Sequence, residues 1–320
     1  MSLSRLKHSG LLPSQIAMGC EPLGGTDWGY IDFPLARSAV QCALDMGVTV
    51  FDIADVYGLG RGEEELSIAL GGRRHEAFII TKFGVRWQID KAGGRARTFR
   101  DASPAYLKIA LENSLRRLRI DAIPLYLVHW PDPNIRINET LAMLEDVRRE
   151  GKILNYGLSN FDADVITEAA AQFSISAVEG SYNLIERKRS ESMFRVAGQY
   201  GIARFAYGPL AQGLLTGKYD KQTKFGLNDR RKRLPQFAGE RWDNNSTILN
   251  MLSEIACRYQ KTPAQTAIRW ALDSGYVDAA IVGANSPSQI ESNVGALNWK
   301  LSPQDFEALN AVSGVIGAVG

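Results

Sequence analysis

The feature that most constrains this chain is a regular alternation of short apolar strands with helical segments. Eight segments have the length and apolar character of buried strands. They are predicted at 16–19, 48–52, 77–82, 125–129, 153–159, 175–180, 202–207 and 279–283. Between them, apolar residues recur at the spacing of one helical face, at 33–46, 104–118, 138–150, 162–171, 187–199 and in stretches between 246 and 272. Strands that are apolar on both faces and alternate with helices indicate a parallel sheet covered by helices.

Two folds place parallel strands between helices: an open doubly wound sheet and a closed (β/α)8 barrel. An open sheet that binds a dinucleotide should carry G-x-G-x-x-G after its first strand. The first strand here runs into GCEPLGG, and GLGRGE at 58–63 has Glu63 in place of the last glycine. Eight strands in 320 residues therefore favour the closed α/β fold, a TIM barrel formed as a single domain over 1–320.

Two segments lie outside the alternation. Residues 6–15, LKHSGLLPSQ, are predicted to form an N-terminal β-hairpin that closes one end of the barrel. The segment 210–245 has no clear period and is rich in Gly, Lys and Arg. Because long loops in compact domains are usually functional, we expect extended loops on the carboxyl-terminal face of the barrel.

Charge and cysteine content argue against several classes of function. A net charge of +2 spread along the chain gives no sign of nucleic acid binding. The cluster from Arg230 to Arg233 is interpreted as a solvated loop or as a contact to an anionic ligand. No apolar run approaches the ~20 residues of a membrane span, and the first residues lack a signal-peptide core, so we expect a cytoplasmic protein. Three cysteines and three histidines without ligand spacing predict reduced thiols and no metal site.

Four polar residues lie at or just beyond the ends of three consecutive predicted strands. Asp52, Lys82 and His129 end the second, third and fourth strands, and Tyr57 lies on the glycine-containing turn after Asp52. Taken singly, each has an ordinary interpretation, such as a core histidine or a lysine that extends its amine to solvent. Because strand ends of a barrel open on one face, all four should converge, which favours a catalytic site.

Such a group suits the delivery of a proton to a carbonyl oxygen while a hydride reaches the carbon. We expect Lys82 to lower the pKa of Tyr57 from its usual value of about 10. Asp52 would keep Lys82 charged and in place, and a neutral His129 would orient the substrate oxygen. No side chain can supply a hydride, so the chemistry requires a cofactor.

Several motifs resemble those of the aldo-keto reductase superfamily, in the same order and over essentially the whole chain. They are DIADVYG, ITKFG, LVHWPD, YGLSNF and AYGPLAQGLLTGKY, and KFGVRW, FRD and HWPDP resemble the bacterial branch of glycerol dehydrogenase-like and general stress reductases. The resemblance implies a (β/α)8 barrel that binds NADPH, less often NADH, across its carboxyl-terminal rim and reduces aldehydes and ketones. It also implies that Tyr57 is the general acid, that Lys82 and Asp52 support it, and that His129 orients the substrate.

The resemblance further implies which residues bind the cofactor along the rim. At the nicotinamide end, Ser159 and Asn160 would hold the carboxamide and Tyr207 would stack on the ring, near Gly19 and Cys20. The belt over the pyrophosphate would be Pro209, Leu210, Gln212, Gly213 and Lys218. The adenosine end would be Gly283, Ala284, Asn285, Ser286, Gln289 and Asn293.

Two departures from the family pattern concern the cofactor. Glu179 stands where the family usually has Gln beside the carboxamide. An ionised Glu179 would favour the oxidised, positively charged ring, whereas a neutral Glu179 would behave more like the amide. Neutral Asn285, Ser286 and Gln289 occupy the region where NADPH-binding relatives place Arg or Lys. The resemblance favours NADP(H), but these neutral residues weaken that preference and make NAD(H) possible, unless the cluster from Arg230 to Arg233 reaches the phosphate.

The third departure concerns the substrate pocket. Glu21 follows the first strand, where a Trp or another bulky residue is common in the family. Beside Trp28, Trp87 and Trp130, a carboxylate predicts a polar substrate such as a hydroxyaldehyde or a sugar, although the tryptophans could serve only for packing.

Three functions remain open at this point. The first is carbonyl reduction with a small-molecule substrate by a monomer or small homo-oligomer. A second is a sugar or polyol dehydrogenase that uses NAD in the oxidative direction. A third is a nucleotide-binding sensor or subunit without turnover, against which the complete set of four polar residues argues.

Overall fold

A computed structural model describes residues 3–6, 13–89 and 96–316, and in this part of the chain eight parallel strands form a closed barrel. The strands, with two further ones from a hairpin, are β1 (Ile16–Gly19), β2 (Val50–Asp52), β3 (Phe78–Phe83), β4 (Val85–Gln88), β5 (Arg97–Arg100), β6 (Ile123–Val128), β7 (Ile153–Ser159), β8 (Ala177–Ser181), β9 (Ala203–Tyr207) and β10 (Ala279–Gly283). The order around the barrel is β1, β10, β9, β8, β7, β6, β3, β2, and β2 pairs back to β1. The predicted (β/α)8 fold is confirmed.

Helices cover the outside of the barrel. Within the described ranges they are α1 (Phe33–Asp45), α2 (Arg61–Leu70), α3 (Pro104–Leu118), α4 (Ile137–Arg149), α5 (Ala163–Gln172), α6 (Lys188–Gln199), α7 (Gly239–Arg258), α8 (Pro263–Asp273), α9 (Pro287–Val294) and α10 (Pro303–Ile316). Local sequence explains where several begin. The Ser103 side chain accepts a hydrogen bond from the Tyr106 amide at the start of α3, and Thr262 and Gln265 form a capping box at α8.

The barrel interior is filled by small and medium apolar side chains. They are Ala17, Val50, Phe78, Ile80, Leu125, Leu127, Ala177, Ala203, Phe205, Ala279 and Ile281, with Leu6 packed against them. Alternate residues of each strand face this core and the surrounding helices, so both faces are buried, as the apolar runs predicted. Among the described residues, no helix has both the length and the apolar character needed to cross a bilayer.

Strand register brings the carboxyl ends of the strands together. Gly19 pairs with both Asp52 and Gly283, and Ser159 pairs with Glu179. Because all eight strands are parallel, these residues share one rim. The rim is where long connections are found, as expected.

One such connection is a hairpin between β3 and α3, in which β4 and β5 pair in antiparallel register. Gly84, at φ +100°, turns the chain out of the barrel, and the Asp101 amide donates to its carbonyl oxygen over 3.1 Å. Residues 90–95 at the tip are outside the described ranges. The hairpin was not predicted from the sequence.

A second rim structure joins the loop after β1 to the loop after β9. The Gly29 amide donates to the Asn228 carbonyl over 3.2 Å, and the Arg230 amide donates to the Asp27 carbonyl over 2.8 Å. The Arg233 guanidinium lies 3.2 Å from the Asp27 carboxylate. We call residues 27–29 and 228–233 the rim clasp, and its second part lies within the segment 210–245 that was expected to be functional.

One sequence expectation falls largely outside the described residues, and another differs from the structure in detail. The predicted hairpin at 6–15 lies largely outside the described residues, which omit 7–12. The helical stretches expected between 246 and 272 begin earlier, at Gly239, and are divided into α7 and α8.

Candidate active site

A buried lysine lies at the centre of the rim, held by three strand ends. The Lys82 ammonium lies 2.5 Å from the Asp52 carboxylate, 3.1 Å from the Ile53 carbonyl oxygen and 3.4 Å from the Glu179 carboxyl group. The lysine side chain is fully buried, so its three N–H donors are all directed to protein oxygens. The two acids come from β2 and β8, on opposite sides of β3 in the barrel wall.

Burial sets the protonation of this trio. Burial, and then the neighbouring Asp52 charge, raises the pKa of Glu179 to about 8 although Lys82 opposes the shift. Burial also raises the pKa of Asp52, which Lys82 opposes by its charge and its hydrogen bond. Burial would lower the pKa of Lys82, but the two acids outweigh it and raise that pKa. At neutral pH a pKa of about 8 keeps Glu179 mostly protonated beside the ion pair of Lys82 and Asp52.

Tyr57 lies above this trio on the 3-10 turn Tyr57–Gly60 after β2. Its ring meets the His129 ring edge-on at a centroid distance of 5.9 Å, and the Lys82 nitrogen lies 5.8 Å from its centroid. Gly58, at φ +61°, packs against Gly24 so closely that a Cβ there would lie 2.2 Å from the Gly24 oxygen. The glycine at 58 therefore allows the contact between turns that fixes Tyr57 at the barrel mouth.

The expected effect of Lys82 on Tyr57 was wrong. Burial, followed by the charges of Glu21, Asp52 and Glu179, raises the pKa of Tyr57 well above 10, and Arg230 is the cation that opposes this. The reason is that the Lys82 charge is already balanced by its acidic partners. Tyr57 therefore keeps its proton throughout the neutral range.

His129 follows β6 and is neutral at physiological pH. Burial, then the charges of Lys82 and Arg100, lowers its pKa well below 6.5. Its Nδ1 atom is buried without a hydrogen-bond partner. A neutral imidazole at this place can donate one hydrogen bond without adding charge.

These residues end an elongated cavity of about 1010 Å³ on the rim. Most residues predicted for the site line it, namely Gly19, Glu21, Trp28, Asp52, Tyr57, His129, Trp130, Asn160, Glu179, Tyr207, Pro209, Leu210, Gln212, Gly213, Lys218, Gly283, Ala284, Asn285 and Gln289. Residues from all three predicted regions, nicotinamide, belt and adenosine, thus share one continuous space.

Six predicted site residues do not line the cavity. Lys82, Cys20 and Ser159 are buried behind its wall. Ser286 caps α9 and Asn293 is buried within that helix. Trp87 lies on β4 away from the cavity, which the hairpin instead reaches with Val85, Thr98, Phe99 and Arg100.

Asn160 connects three strand ends at the end of the cavity near His129. Its amide nitrogen donates to the His129 carbonyl over 3.0 Å and to the Ser159 hydroxyl over 2.9 Å. Its amide oxygen accepts from the Tyr207 hydroxyl over 2.8 Å. Ser159 in turn donates to Glu179 over 3.4 Å, while the other Glu179 oxygen is buried without a partner. A ligand amide would find an unused polar atom here.

The opposite end of the cavity is polar but uncharged. The Asn285 amide donates to the Gln289 side chain over 2.8 Å, and the Ser286 hydroxyl caps α9. Lys218 lies between the two ends, where the turn Ala211–Thr216 has positive φ at Gln212. A phosphate here would meet backbone amides and one lysine rather than a guanidinium.

The basic cluster is paired with acids of the rim. Arg230 forms an ion pair with Glu21 and lies over the Trp28 ring at 4.8 Å. Arg231 lies 2.5 Å from Asp229. Arg230 and Arg231 line the cavity and are paired with acids, whereas Lys232 and Arg233 are exposed. Because the Glu21 carboxylate is paired with Arg230, Glu21 is less available for its expected role as an acceptor for substrate hydroxyls.

Sequence reasoning missed the cavity residues of the hairpin. Arg100 lies in FRD, one of the motifs that carry the family resemblance, but the motif by itself assigns no site role. Among the described residues, no cluster of three or more His, Cys, Asp or Glu is arranged to hold a metal ion.

Comparison with known proteins identifies the family. The aldo/keto reductase family model matches residues 15–313. This chain belongs to the aldo/keto reductase family. The resemblance that its motifs indicated is thereby confirmed.

Two relatives and one solved structure show how far the similarity extends. The chain is 34% identical over 315 residues to aldo-keto reductase YhdN of Bacillus subtilis, covering 98% of this chain and 93% of that protein. It is 34% identical over 307 residues to aldo-keto reductase yakc [NADP(+)] of Schizosaccharomyces pombe, covering 94% and 89%. The glycerol dehydrogenase AKR11B4 of Gluconobacter oxydans superposes with a TM-score of 0.88 at 30% identity, covering 96% of this chain and 94% of that one.

Family membership establishes the general chemistry of this aldo/keto reductase. It is an oxidoreductase that acts on small carbonyl compounds with a nicotinamide cofactor. The cavity of about 1010 Å³ along the rim is large enough to hold a nicotinamide cofactor.

Proposed function

We propose that this aldo/keto reductase reduces short polar aldehydes or ketones to alcohols, with Tyr57 as the proton donor. The observation that carries the proposal is the arrangement of a protonated Tyr57 beside a neutral His129, above the buried trio of Lys82, Asp52 and Glu179. All of these groups lie at the end of one cavity or directly behind its wall. Such an arrangement can protonate an oxygen that gains charge.

The cavity residues fit a nicotinamide dinucleotide. Asn160 and the unpartnered oxygen of Glu179 would hold the carboxamide, and Tyr207 would pack against the ring. When bound, the cofactor supplies the hydride. Lys218 and the amides at the start of α9 would hold the phosphates. We propose NADP(H) as the preferred cofactor, as the name of the relative yakc [NADP(+)] indicates for that protein, with NAD(H) also accepted because Asn285, Ser286 and Gln289 are neutral.

Tyr57 acts as a general acid because its proton stays in place until the substrate oxygen becomes basic. A developing alkoxide is more basic than a phenolate, so proton transfer from Tyr57 is favourable even with its raised pKa. Arg230, the cation that opposes the raised pKa of Tyr57, would stabilise the phenolate that remains. Asp52 holds Lys82 in position, and His129 donates a hydrogen bond that orients the carbonyl oxygen.

Glu179 contributes as a neutral acid. Its pKa of about 8 supports the neutral alternative over the ionised one at physiological pH. A protonated carboxyl group keeps a hydrogen-bond donor, so Glu179 would bind the carboxamide through its unpartnered oxygen while the other oxygen accepts from Ser159.

A second candidate function is the same reaction in the oxidative direction. The Gluconobacter oxydans neighbour is described as a glycerol dehydrogenase, and the cavity mouth here carries the polar Glu21 and Arg230. Polyol oxidation by NAD(P)⁺ uses the same residues, with the Tyr57 phenolate as the base.

The test is a panel of aldehydes, ketones and polyols with both cofactors, followed by the absorbance of the reduced cofactor. Tyr57→Phe should lower kcat by about a hundredfold or more while the Kd of the cofactor stays within about twofold. Tyr200→Phe makes the same chemical change on an exposed helix end and should leave both unchanged. Cofactor binding without turnover on the whole panel would overturn the proposal in favour of a nucleotide-binding sensor.

A further inference from the structure

Arg100 is an exposed arginine that lines the cavity. It ends β5, pairs with Val85 of β4 and lines the cavity next to His129. Its guanidinium lies over the Trp130 ring at 4.6 Å. Within the part of the chain that the structure describes, no carboxylate forms an ion pair with it.

The nearest acid is committed elsewhere. Asp132 accepts the Ala102 amide over 2.9 Å through one oxygen and the Asn134 amide over 2.9 Å through the other. It influences the Arg100 charge from a distance without contacting it. Both Asp132 oxygens therefore serve to fix the loop that carries the end of the hairpin.

The other cations near this end of the cavity are balanced. Lys82 contacts Asp52 and Glu179, Arg230 contacts Glu21, and Arg231 contacts Asp229. Lys218 lies towards the pyrophosphate belt. The region beyond His129 thus has an excess of one positive charge, which an anionic ligand would balance.

A row of aromatic rings lies between Tyr57 and the Arg100 guanidinium. The Tyr57 and His129 rings are 5.9 Å apart, the His129 and Trp130 rings stack at 6.3 Å, and Arg100 covers the Trp130 face. Stacking on Trp130 leaves the edge of the guanidinium, with its N–H donors, available for a planar or tetrahedral anion. A substrate whose carbonyl oxygen lies at Tyr57 and His129 extends along this wall.

We propose that Arg100 is a specificity-determining residue that binds a carboxylate or phosphate at the far end of a short aldehyde substrate. This inference rests on the proposed carbonyl reduction and assigns the substrate class. Arg100 forms a charge-assisted, bidentate pair with the anion, while Trp130 holds the guanidinium plane and packs against the intervening carbons. Neutral aldehydes of the same length lack this contact.

The experiment compares matched substrates that differ only in the anion. The pairs are succinic semialdehyde against butanal, and glyceraldehyde 3-phosphate against glyceraldehyde, so the two sources of negative charge are measured separately. We expect wild-type kcat/KM to be higher for at least one anionic member. In Arg100→Gln, the ratio of anionic to neutral kcat/KM should fall about tenfold, mainly through KM.

Arg86→Gln is the matched control, because Arg86 lies on the same hairpin and pairs with Asp101 but does not line the cavity. It should keep the wild-type ratio. Equal losses on anionic and neutral members in Arg100→Gln would overturn the proposal and leave Arg100 as a support for His129. A wild-type enzyme that reduces neutral aldehydes at least as well as both anionic partners would overturn it even if the variant does not fold.

A binding measurement separates failure of this inference from failure of the proposed function. Isothermal titration of wild-type protein with succinate and with inorganic phosphate reports anion binding without turnover, and Arg100→Gln should weaken it about tenfold. Carried out on protein saturated with NADP⁺, whose phosphates would occupy Lys218 and the start of α9, this titration still tests Arg100 alone if the enzyme reduces no carbonyl compound. Equal affinity of both proteins for succinate and for phosphate would overturn the assignment.

Discussion

Glu179 is the single residue at which this chain departs most clearly from its family in the interior of the site. As an acid with a pKa of about 8, it is neutral at physiological pH and becomes negative in mild alkali. It also faces the Lys82 ammonium and the Asp52 carboxylate, whose charges balance each other. Its own ionisation therefore adds a net charge to the buried floor of the cavity.

A first prediction concerns cofactor affinity across that pH range. As pH rises through about 8, the new charge on Glu179 should strengthen NADP⁺ relative to NADPH by about tenfold, since it attracts the cationic ring. Glu179→Gln should bind both forms with a ratio that does not change with pH. Fluorescence titration of both cofactors on either side of pH 8 measures this. A ratio that varies with pH in the variant as in wild type would assign the effect to another group.

Asp55, two residues before Tyr57, is a second buried acid but takes no part in the reaction. Both carboxyl oxygens are buried without a hydrogen-bond partner, and burial, followed by the Glu63 charge, raises its pKa well above 3.8. The folded protein therefore holds a proton that the unfolded chain releases above about pH 4. The contribution of Asp55 to the free energy of unfolding is complete below about pH 4. It decreases as the pH rises towards the pKa of Asp55 in the folded protein.

The second prediction is that Asp55→Asn removes the pH-dependent contribution of Asp55 to the free energy of unfolding. Between about pH 5 and pH 7, the unfolding free energy of wild type should fall with pH more steeply than that of the variant, by up to about 1.4 kcal/mol per pH unit. Denaturant unfolding at several pH values measures the difference. Asp121→Asn, at an exposed position, should follow the wild-type slope. Parallel slopes for wild type and Asp55→Asn would show that Asp55 is ionised in the folded protein.

At the scale of elements, apolar runs with clear boundaries were predicted best. The strands at 16–19, 153–159 and 279–283 and the helix at 104–118 agree with the structure at both ends. The three strands are largely buried, and the helix is capped by Ser103 directly before it. Hydrophobic periodicity was sufficient to predict these elements because the apolar residues that define it are the ones buried in the structure.

Elements with polar or charged residues in unusual places were missed. Helix α2 buries two acids, Glu63 and Glu65, which pair with Arg117 and Arg37. Its buried face therefore lacks the apolar periodicity that predicts a helix. It also begins directly after a glycine-rich turn, which indicates a loop. The hairpin of β4 and β5 is largely exposed. Strand β4 alternates over only four residues and β5 is exposed throughout, so neither gives a signal long enough to predict a strand.

The third prediction concerns the pairing of β7 with β8. A Cβ at Gly157 would lie 2.0 Å from the Ala177 carbonyl oxygen, so Gly157→Ala must push the strands apart. We expect a loss of at least about 2 kcal/mol in unfolding free energy and weaker cofactor binding, because Ser159 and Glu179 follow in the same register. Thermal and denaturant unfolding measure the loss.

The control for this substitution is Gly72→Ala. Gly72 has open space around its Cβ position and no positive φ, so the variant should match wild type within about 0.5 kcal/mol. If Gly157→Ala were as stable as Gly72→Ala, the close approach of these strands would be refuted.

For the molecule as a whole, the convergence of Asp52, Tyr57, Lys82 and His129 was predictable because a parallel barrel collects strand ends on one rim. The pKa of Tyr57 was not predictable in the same way. It depends on burial and on the distances to Glu21, on the turn after β1, and to Glu179 of β8. The rim clasp and the position of Arg100 depend on loop geometry, for which the sequence has no periodic signal.

The fourth prediction concerns the rim clasp, which bridges the cavity mouth. Breaking the pair of Arg233 and Asp27 by Arg233→Gln should speed cofactor dissociation by up to about fivefold, as expected for a partly exposed pair. High salt should have the same effect on wild type. Stopped-flow displacement of NADPH measures the rate. Lys221→Gln breaks the Lys221–Asp243 pair outside the clasp and should not alter it.

The protonated state of Glu179 also bears on how such a site can change over generations. Codons for glutamine and glutamate differ only in their first base, so one nucleotide substitution exchanges the amide for the acid. Because the acid is neutral where it lies, that exchange keeps the shape and the hydrogen-bonding capacity of the position. A lineage could pass between the two without an inactive ancestor, acquiring a response to alkalinity in a single step.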